Sequence, residues 1–268
     1  MGRRPAVLVI AGSDSSGGAG LARDVRTLEL VGADALCALT AVTAQTDARV
    51  LGVYPVPPAQ VRAQIEAAFA TRPIGAVKIG MLVDRATLEA VADALQQAPA
   101  VPLVLDPVLH ASSGAALLED PGFERLRARL LPRTTVLTPN IPEAAALCAD
   151  GILDAAPDAA RLIDWGRRLL AQGPQAVLIK GGHAEGAEAA DLLMRPGAEP
   201  VWLSGARFAV GRRGTGCALA SALAAALAAG ADLETACRRA RAHVRSLLEA
   251  RQGEVPPAAV THPAAAHP

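Results

Sequence analysis

The chain has 268 residues, of which 51% are hydrophobic, and its 26 basic residues balance its 26 acidic ones. This composition is typical of a compact soluble protein and argues against a nucleic-acid-binding protein, which would carry an excess of positive charge. An aromatic content of 2% also leaves few rings on which bases can stack.

The N-terminal region and the cysteines restrict location and chemistry. The apolar run 6–11 is too short for a signal sequence and ends in a glycine-serine loop rather than a cleavage site. We therefore expect a cytoplasmic protein without a membrane segment. The cysteines form no CxxC pair, which argues against a zinc site and against a disulfide framework. Cys37, Cys148 and Cys237 lie in apolar surroundings, and we expect them in the core.

Short apolar runs alternate with amphipathic stretches along most of the chain. Strands are predicted at residues 7–11, 35–44, 76–80, 103–106, 135–138 and 176–180. Helices are predicted between them, at residues 18–31, 58–70, 84–97, 123–131 and 156–172. This alternation predicts an α/β fold of three layers, in which helices cover both faces of a mostly parallel central sheet.

The C-terminal third departs from that alternation. Residues 191–194 and 201–203 can form a short antiparallel ribbon, and two helices are predicted at 219–229 and 233–248. We see no linker that divides the chain, so we predict a single domain over residues 1–250. Residues 251–268 contain many prolines and alanines, and we predict that they form a disordered tail.

In a parallel sheet, ligands bind beyond the carboxyl ends of the strands, so the residues after each predicted strand are candidates for a site. The polar loop 12–20 matches neither the GxxxxGK[ST] phosphate loop nor the GxGxxG fingerprint. Its glycines can let the backbone approach a flat ligand, or the loop can be a plain connection. After the second strand, Gln45 offers an acceptor and a donor, which suits the edge of an aminopyrimidine.

Charged residues occur at the ends of the third and fourth strands. Lys78 lies in an otherwise apolar strand, where an unpaired charge is costly, so we expect it to reach a carboxylate or a phosphate. Met81 can supply a pliable apolar wall to a pocket. Asp106 can hold a metal-bound water or cap the turn that follows it.

Further polar residues follow the fifth and sixth strands. Asn140 and Glu143 can form a capping box at a helix start, or they can contact Mg²⁺ and its waters beside the phosphates of a nucleotide. Lys180 and Gly182 place a cation and a glycine at a strand end, which suits the approach of a phosphate.

The glycine turn at residues 213–218 opens an alanine-rich stretch. Gly214 and Gly216 free the backbone to direct several N–H groups at one point, and the helix dipole adds positive charge, which together favour an anion such as phosphate. The dipole is expected to lower the pKa of Cys217, which makes this thiol a candidate base for a substrate hydroxyl. Alternatively, the glycines serve only a tight turn and Cys217 packs as a small apolar residue.

These motifs occur in a characteristic order. They are AGSDSSGGAG (11–20), TAQ (43–45), KIGM (78–81), LDPV (105–108), LTPNIPEA (137–144), IKGGH (179–183) and GTGC (214–217). In this order they resemble the bacterial hydroxymethylpyrimidine and phosphomethylpyrimidine kinases of thiamine biosynthesis, and the resemblance extends over residues 6–248. It implies a ribokinase-like fold and transfer of the γ-phosphoryl group of ATP to 4-amino-5-hydroxymethyl-2-methylpyrimidine, then to its monophosphate. It also implies Mg²⁺ as a cofactor and a homodimer.

The resemblance further implies roles for individual residues. Cys217 would be the base, and the backbone of Gly214, Thr215 and Gly216 would form the anion hole. The residues implied to bind the pyrimidine are Gly12, Ala19, Asp24, Val42, Gln45 and Met81. Those implied to lie near ATP are Asp106, Asn140, Lys180 and Gly182, with Asp106 and Glu143 near Mg²⁺.

Two positions differ from the usual family pattern. Arg213 stands where the family usually has a histidine, and it can gather phosphate or disturb a hydrogen bond of the anion hole. Ser112 stands where a lysine that can meet the transferred phosphate is common. Two alternatives therefore stay open, namely a pyridoxal kinase on the same scaffold and a pyrimidine-binding regulatory protein that has lost phosphoryl transfer.

Overall fold

A computed structural model describes residues 3–109, 120–150, 156–181, 188–208 and 213–252 of the chain. The predicted tail, apart from its first two residues, lies outside the described residues. The assignment of residues 1–250 to a single domain stays a prediction.

Ten strands occur in the described residues, and they form an eight-stranded sheet and a separate two-stranded sheet. The strands are β1 (Ala6–Ala11), β2 (Asp34–Leu39), β3 (Ala41–Gln45), β4 (Val50–Pro55), β5 (Ala76–Ile79), β6 (Leu103–Leu105), β7 (Val136–Leu137), β8 (Val177–Ile179), β9 (Glu188–Met194) and β10 (Val201–Ala206).

Eight α-helices accompany these strands within the described ranges. They are α1 (Gly20–Leu30), α2 (Pro58–Thr71), α3 (Arg85–Gln97), α4 (Asp120–Arg129), α5 (Ile141–Leu147), α6 (Ala159–Leu170), α7 (Thr215–Ala228) and α8 (Leu233–Gln252). Side-chain caps fix four of these helix starts. Asp84 accepts the N–H of Thr87, Asn140 that of Glu143 and Asp158 that of Arg161, each at 2.8 Å, and Asp232 accepts that of Thr235 at 3.0 Å.

The large sheet has the strand order β10-β9-β8-β7-β6-β5-β1-β2. Its strands pair in parallel from β2 to β8, whereas β9 and β10 are antiparallel at one edge. Side chains of β1 alternate between two cores, with Leu8 and Ile10 in one and Val7 and Val9 in the other. Helices α2 to α6 contribute to the first core, and α1, α7 and α8 to the second. The predicted three-layer fold is confirmed.

Helix α7 lies against the middle of the sheet, in contact with β1, β5 and β6. Its buried face consists largely of alanine, and these small side chains let the helix axis approach the strands closely. The first turn of α7 is thereby held at the carboxyl ends of the central strands, where the sequence predicts the site.

One predicted strand is wrong. Residues 35–44 form two strands, because the chain leaves the large sheet at Thr40, whose hydroxyl donates to the carbonyl of Met81 at 2.7 Å. The second of these strands, β3, pairs with β4, which the pattern did not predict. The predicted ribbon at 191–203 is longer than expected and belongs to the large sheet as β9 and β10.

One predicted core residue is also wrong. Cys37 is exposed on β2, because β2 is an edge strand of the sheet, whereas Cys148 and Cys237 are buried as expected. In the described part of the chain, none of the helices combines the length and apolar character that crossing a bilayer requires.

Candidate active site

A cavity of about 1520 Å³ opens beyond the carboxyl ends of the central strands. This exceeds the roughly 300–1,000 Å³ of a pocket for one drug-sized ligand, so the cavity can hold two small molecules together. The predicted site residues that line it are Gly12, Ala19, Gln45, Met81, Asp106, Asn140, Glu143, Lys180, Gly214, Thr215, Gly216 and Cys217.

The glycine turn lies directly against the loop 12–20. Gly214 is the N-cap of α7 and has φ of 75°, a conformation that favours glycine. A Cβ at this position would lie 2.3 Å from the carbonyl oxygen of Gly18, so only glycine permits the contact. The helix begins at Thr215 rather than at residue 219, and the N–H groups of its first turn lack acceptors within the helix. They are therefore available to an anion in the cavity.

Cys217 lies in this first turn and lines the cavity. Burial raises the pKa of its thiol from 9.0 to about 11, although the ammonium of Lys78 and the N–H of Gly20 favour the thiolate. The predicted lowering of this pKa is therefore wrong, because the loss of hydration outweighs the helix terminus. In the ligand-free protein at neutral pH, the thiol is protonated.

Lys78 forms a buried ion pair at the wall of the cavity. Its Nζ lies 2.8 Å from Oδ2 of Asp24 on α1, and neither side chain is exposed to solvent. The hydroxyl of Ser221 on α7 donates to Oδ1 of Asp24 at 2.7 Å, so both carboxylate oxygens are hydrogen-bonded. The expectation that Lys78 reaches a carboxylate is confirmed. Asp24 is not among the described residues that line the cavity, and its contact with substrate stays a prediction.

A second lysine, Lys180, faces the cavity itself. Its Nζ lies 2.6 Å from Oδ1 of Asp106 and 3.8 Å from Oε2 of Glu143. A Cβ on Gly216 would lie 3.2 Å from the same Nζ, so the glycine lets the turn at residues 214–217, here called the anion turn, approach this lysine closely. The turn, the ammonium and the two carboxylates thus form one compact charged cluster.

Asn140 and Glu143 form the capping box that the sequence offered as one alternative. Oδ1 of Asn140 accepts the N–H of Glu143 at 2.8 Å, and Oε2 of Glu143 accepts the N–H of Asn140 at 2.7 Å. Burial raises the pKa of Glu143 to about 7, although the ammonium of Lys180 opposes this change. The carboxyl group therefore titrates near neutral pH.

The carboxylates also bear on the predicted magnesium site. Among the described residues, no three His, Cys, Asp or Glu side chains group closely enough to hold a metal ion by themselves. Mg²⁺ in kinases keeps several waters and is held through one or two carboxylates together with substrate phosphates. Asp106 and Glu143, two carboxylates beside one lysine, fit a magnesium–nucleotide complex of this kind.

The residues predicted to bind the ring are only partly brought together. Gly12 and Met81 are in contact, since a Cβ on Gly12 would lie 3.0 Å from the sulfur of Met81. Ala19 donates its N–H to Oδ2 of Asp14 at 2.8 Å. Val42, by contrast, is 49% exposed on β3 and is not among the described lining residues, so its role in binding stays a prediction.

Arg213 joins the anion turn to two other loops. Its Nη2 donates to Oε1 of Gln45 at 3.1 Å and lies 3.3 Å from Oδ2 of Asp14. Its Nη1 donates to the carbonyl of Thr46 at 2.9 Å and to Oδ1 of Asp47 at 3.2 Å. The guanidinium is thus bound by carboxylates and carbonyls of the protein.

Several supporting residues escaped the sequence patterns. Oδ1 of Asp191 accepts the N–H of Gly181 at 2.8 Å and fixes the loop after Lys180. Asp191 also pairs with Arg241, a cavity-lining member of the basic run 237–241. Asp191 and Ser221 are polar residues inside apolar stretches, and that contrast is the signal that could have identified them. Gly182 and Ser112 lie outside the described residues.

Comparison with known proteins identifies the family. The model of the phosphomethylpyrimidine kinase family matches residues 14–257. The chain belongs to this family. It is 43% identical over 220 residues to the hydroxymethylpyrimidine/phosphomethylpyrimidine kinase of Salmonella typhimurium, with 81% of each chain covered. It is also 38% identical to the thiamine biosynthesis bifunctional protein ThiED of Geobacter sulfurreducens, a match that covers 93% of this chain but half of that protein.

Solved structures give the same fold. A phosphomethylpyrimidine kinase from Clostridium difficile 630 has a TM-score of 0.77 and 33% identity, covering 91% of this chain and 99% of that one. The pyridoxal kinase from Staphylococcus aureus, solved with pyridoxal, has a TM-score of 0.83 and 30% identity, covering 92% and 89%. The predicted ribokinase-like fold and kinase class are confirmed. Because both kinds of kinase share this backbone, the substrate must be argued from side chains.

Proposed function

We propose that the protein transfers the γ-phosphoryl group of ATP to the hydroxymethyl oxygen of 4-amino-5-hydroxymethyl-2-methylpyrimidine, and then transfers a second one to the phosphate of that product. The observation that carries this proposal is the meeting of three parts in one cavity. These parts are the anion turn at residues 214–217, the ammonium of Lys180 and the amide of Gln45. The relatives that bear the name of this bifunctional kinase support the assignment.

Each part has a role that its chemistry suggests. The amide of Gln45 would hold the aminopyrimidine edge through one donor and one acceptor. The N–H groups of the anion turn would stabilise the charge on the transferred phosphoryl group, and Lys180 would neutralise it further. Catalysis would then come mainly from positioning and charge, because phosphoryl transfer leaves the protein little covalent chemistry to perform.

Cys217 is the proposed base that accepts the proton of the substrate hydroxyl. During transfer, a bond forms between the hydroxyl oxygen and the γ-phosphorus, and the bond from that phosphorus to the bridging oxygen of ADP breaks. The hydroxyl proton passes to the thiolate. Because the pKa of Cys217 is about 11, the thiolate is scarce at neutral pH, and this mechanism predicts a kcat that rises as the pH approaches that value.

ATP and Mg²⁺ are the cofactors of the proposal. Asp106 and Glu143 would hold Mg²⁺ directly or through water, while Lys180 and Asn140 would lie toward the nucleotide phosphates. Bound there, Mg²⁺ would supply charge neutralisation at the phosphates. The related pyridoxal kinase from Staphylococcus aureus has been solved with AMP-PCP, which supports binding of ATP on this scaffold.

A homodimer in the cytoplasm completes the proposal. The hairpin of β3 and β4 stands outside the large sheet, and its Val42, Leu51 and Tyr54 are 49%, 59% and 63% exposed. Apolar side chains exposed together mark a contact surface, so we assign the dimer contact to this hairpin. Analytical sedimentation tests this contact. We expect the wild type to sediment as a dimer and the Leu51→Asp variant as a monomer.

The main experiment is a coupled ATP-turnover assay with Mg²⁺, in which the hydroxymethylpyrimidine, its monophosphate and pyridoxal are offered separately and product masses are measured. Two successive gains of one phosphate on the pyrimidine are expected. A preference for pyridoxal would instead establish a pyridoxal kinase, the second candidate function, which is favoured by the similarity to the backbone of a pyridoxal kinase. Pyrimidine binding without transfer would identify a regulatory protein instead.

The role of Cys217 has its own test. We expect Cys217→Ala to lower kcat by about 10²–10⁴-fold, the usual contribution of general-base catalysis, and to leave pyrimidine binding largely intact. The kcat of the wild type should rise between pH 7 and 10, and that of the variant should not. Cys37→Ala, at an exposed cysteine of β2, is the matched control. A wild-type kcat that does not change between pH 7 and 10 would contradict the assignment of Cys217 as the base.

A further inference from the structure

We infer that Arg213 is a positioning residue that fixes the side-chain amide of Gln45 and thereby selects a pyrimidine that carries an amino group over one that carries an oxo group at the same ring position. The inference rests on the proposed function, since it concerns the ring-binding part of the same site. It gives a defined task to a residue that departs from the usual family pattern.

The orientation of the Gln45 amide follows from the chemistry of its partner. A guanidinium can only donate hydrogen bonds, so the atom that faces Nη2 of Arg213 at 3.1 Å must be the oxygen, Oε1. The nitrogen Nε2 therefore points away from Arg213, and no described residue accepts its hydrogens. The backbone is fixed as well, because the N–H of Gln45 donates to Oγ of Ser15 and its carbonyl accepts from the same hydroxyl, each at 2.8 Å.

Arg213 is itself held in place. Its Nη2 lies 3.3 Å from Oδ2 of Asp14, and its Nη1 donates to the hydroxyl of Ser16 at 3.0 Å and to the carbonyl of Thr46 at 2.9 Å. The side chain is 21% exposed. These partners belong to two different loops, and a planar guanidinium bound on both sides has a fixed direction. Its contact with Gln45 is therefore also fixed in direction.

A fixed amide distinguishes two ring edges. A 4-aminopyrimidine presents a ring nitrogen that accepts a hydrogen bond, next to an amino group that donates one. This edge matches Nε2 of Gln45 and its Oε1, since a carbonyl oxygen can accept a second hydrogen bond. A 4-oxopyrimidine presents a ring N–H next to a carbonyl, which places donor against donor and acceptor against acceptor. An amide free to turn over would fit both rings, and Arg213 prevents that turn.

The test compares dissociation constants for the 4-amino substrate and its 4-oxo counterpart by calorimetry. In Arg213→Met, which keeps an apolar stem without a donor, we expect the preference for the amino ring to fall by about tenfold, through weaker amino and tighter oxo binding. The matched control is Asp47→Ala, because Asp47 is 87% exposed and pairs with Nη1 rather than with the Nη2 that holds Gln45. The control should keep the preference.

A double variant separates this role from a general structural one. In a Gln45→Leu background, Arg213→Met should change the preference no further, because there is no amide left to orient. Three results would overturn the inference. Arg213→Met could change the preference for the amino ring equally in the wild-type and Gln45→Leu backgrounds, or it could leave that preference intact. The wild type could also show no preference for the amino ring. If Arg213→Met does not fold, Arg213→Gln, whose amide can donate or accept and so leaves the Gln45 amide free to turn, takes its place under the same criteria.

Binding and turnover are read separately, so the two proposals can fail separately. A wild type that prefers the amino ring but transfers no phosphate would refute the proposed function and leave the inference about Arg213 standing. A wild type that phosphorylates the amino ring, with a preference unchanged in Arg213→Met, would support the function and refute the inference.

Discussion

The molecule contains two lysine–aspartate pairs at the carboxyl edge of one sheet, and they differ in exposure and in their third partner. Lys78 and Asp24 are fully buried and share Asp24 with the hydroxyl of Ser221. Lys180 and Asp106 have side chains that are 14% and 3% exposed, and the ammonium also lies near Glu143. Both lysines line the cavity, but the first pair is closed off from solvent, whereas the second is partly exposed there. A lysine–aspartate pair can thus stabilise the fold, as Lys78 and Asp24 do, or take part in the proposed chemistry, as we expect of Lys180 and Asp106.

The largest effect is expected from breaking the buried pair. Lys78→Met would leave the Asp24 carboxylate buried without its counter-ion, and such a loss destabilises a protein by about 3–5 kcal/mol. Denaturant unfolding measures it. The double variant Lys78→Met with Asp24→Leu should recover most of the stability.

The control for this prediction is an exposed pair. Removal of Arg238, whose side chain is 58% exposed beside Glu234, should cost less than about 0.5 kcal/mol. Equal losses at Lys78 and Arg238 would contradict the contrast between buried and exposed pairs.

The cavity pair should respond in the opposite way. Lys180→Met is expected to lower kcat by about 10²–10³-fold, because it removes a cation from the transferred charge, and to lower the unfolding temperature less than Lys78→Met does, because Lys180 is partly exposed in the cavity and water there can reach Asp106. Steady-state kinetics and thermal unfolding of the same preparation check both halves. A variant with full turnover would exclude Lys180 from the chemistry.

Glu143 makes stability depend on pH near the cavity pair. Its pKa is about 7 in the folded protein against 4.5 ordinarily, so the folded state binds the proton more tightly. The contribution of Glu143 to the stability of the fold is therefore greatest below pH 4.5 and is lost as the pH rises through 7, by up to about 3 kcal/mol. Glu143→Gln should lack this fall in ligand-free protein, and Glu124→Gln, on the exposed side of α4, should retain it. Parallel pH profiles for the wild type and Glu143→Gln would rule out this origin.

The smallest predicted effect separates stability from activity most cleanly. Gly216→Ala adds a methyl group 3.2 Å from Nζ of Lys180 while replacing a glycine inside α7. Alanine favours a helix by about 1 kcal/mol over glycine, so stability should hold or rise. The ammonium must shift by a few tenths of an ångström, and because a 1 Å displacement costs about 10²-fold, kcat should fall by about tenfold. An unchanged kcat would show that the Lys180 ammonium can move away from the added methyl group without loss of catalysis.

Sequence patterns predicted the layers, and most of the candidate residues that they indicated line one cavity, for a physical reason. Parallel strands end at the same edge, so residues that follow different strands, such as Asp106 and Lys180, meet there whatever their separation in sequence. The hairpin of β3 and β4 was missed because alanines and valines continue without a break through Thr40, and hydrophobicity alone does not mark where a strand leaves a sheet.

What the patterns could not predict depends on packing. The pKa of Cys217 is set by its burial, which is a property of the whole cavity rather than of the helix start. The partner of Gln45 is Arg213, 168 residues away, and no local pattern joins them. Asp14, Asp191 and Ser221 fix neighbouring loops and charges through contacts of the same long-range kind.

The contacts of Arg213 and Ser221 also bear on how the protein is made. Arg213 lies 199 residues after Asp14, and Ser221 lies 197 residues after Asp24. A ribosome adds about 5–20 residues per second, so each of these carboxylates is synthesised roughly 10–40 s before its partner. Until α7 has emerged from the ribosome, the first loop and the buried lysine pair are incomplete. Enzymatic activity should therefore appear only after synthesis has passed α7, so the onset of activity reports that α7 has been added to the fold.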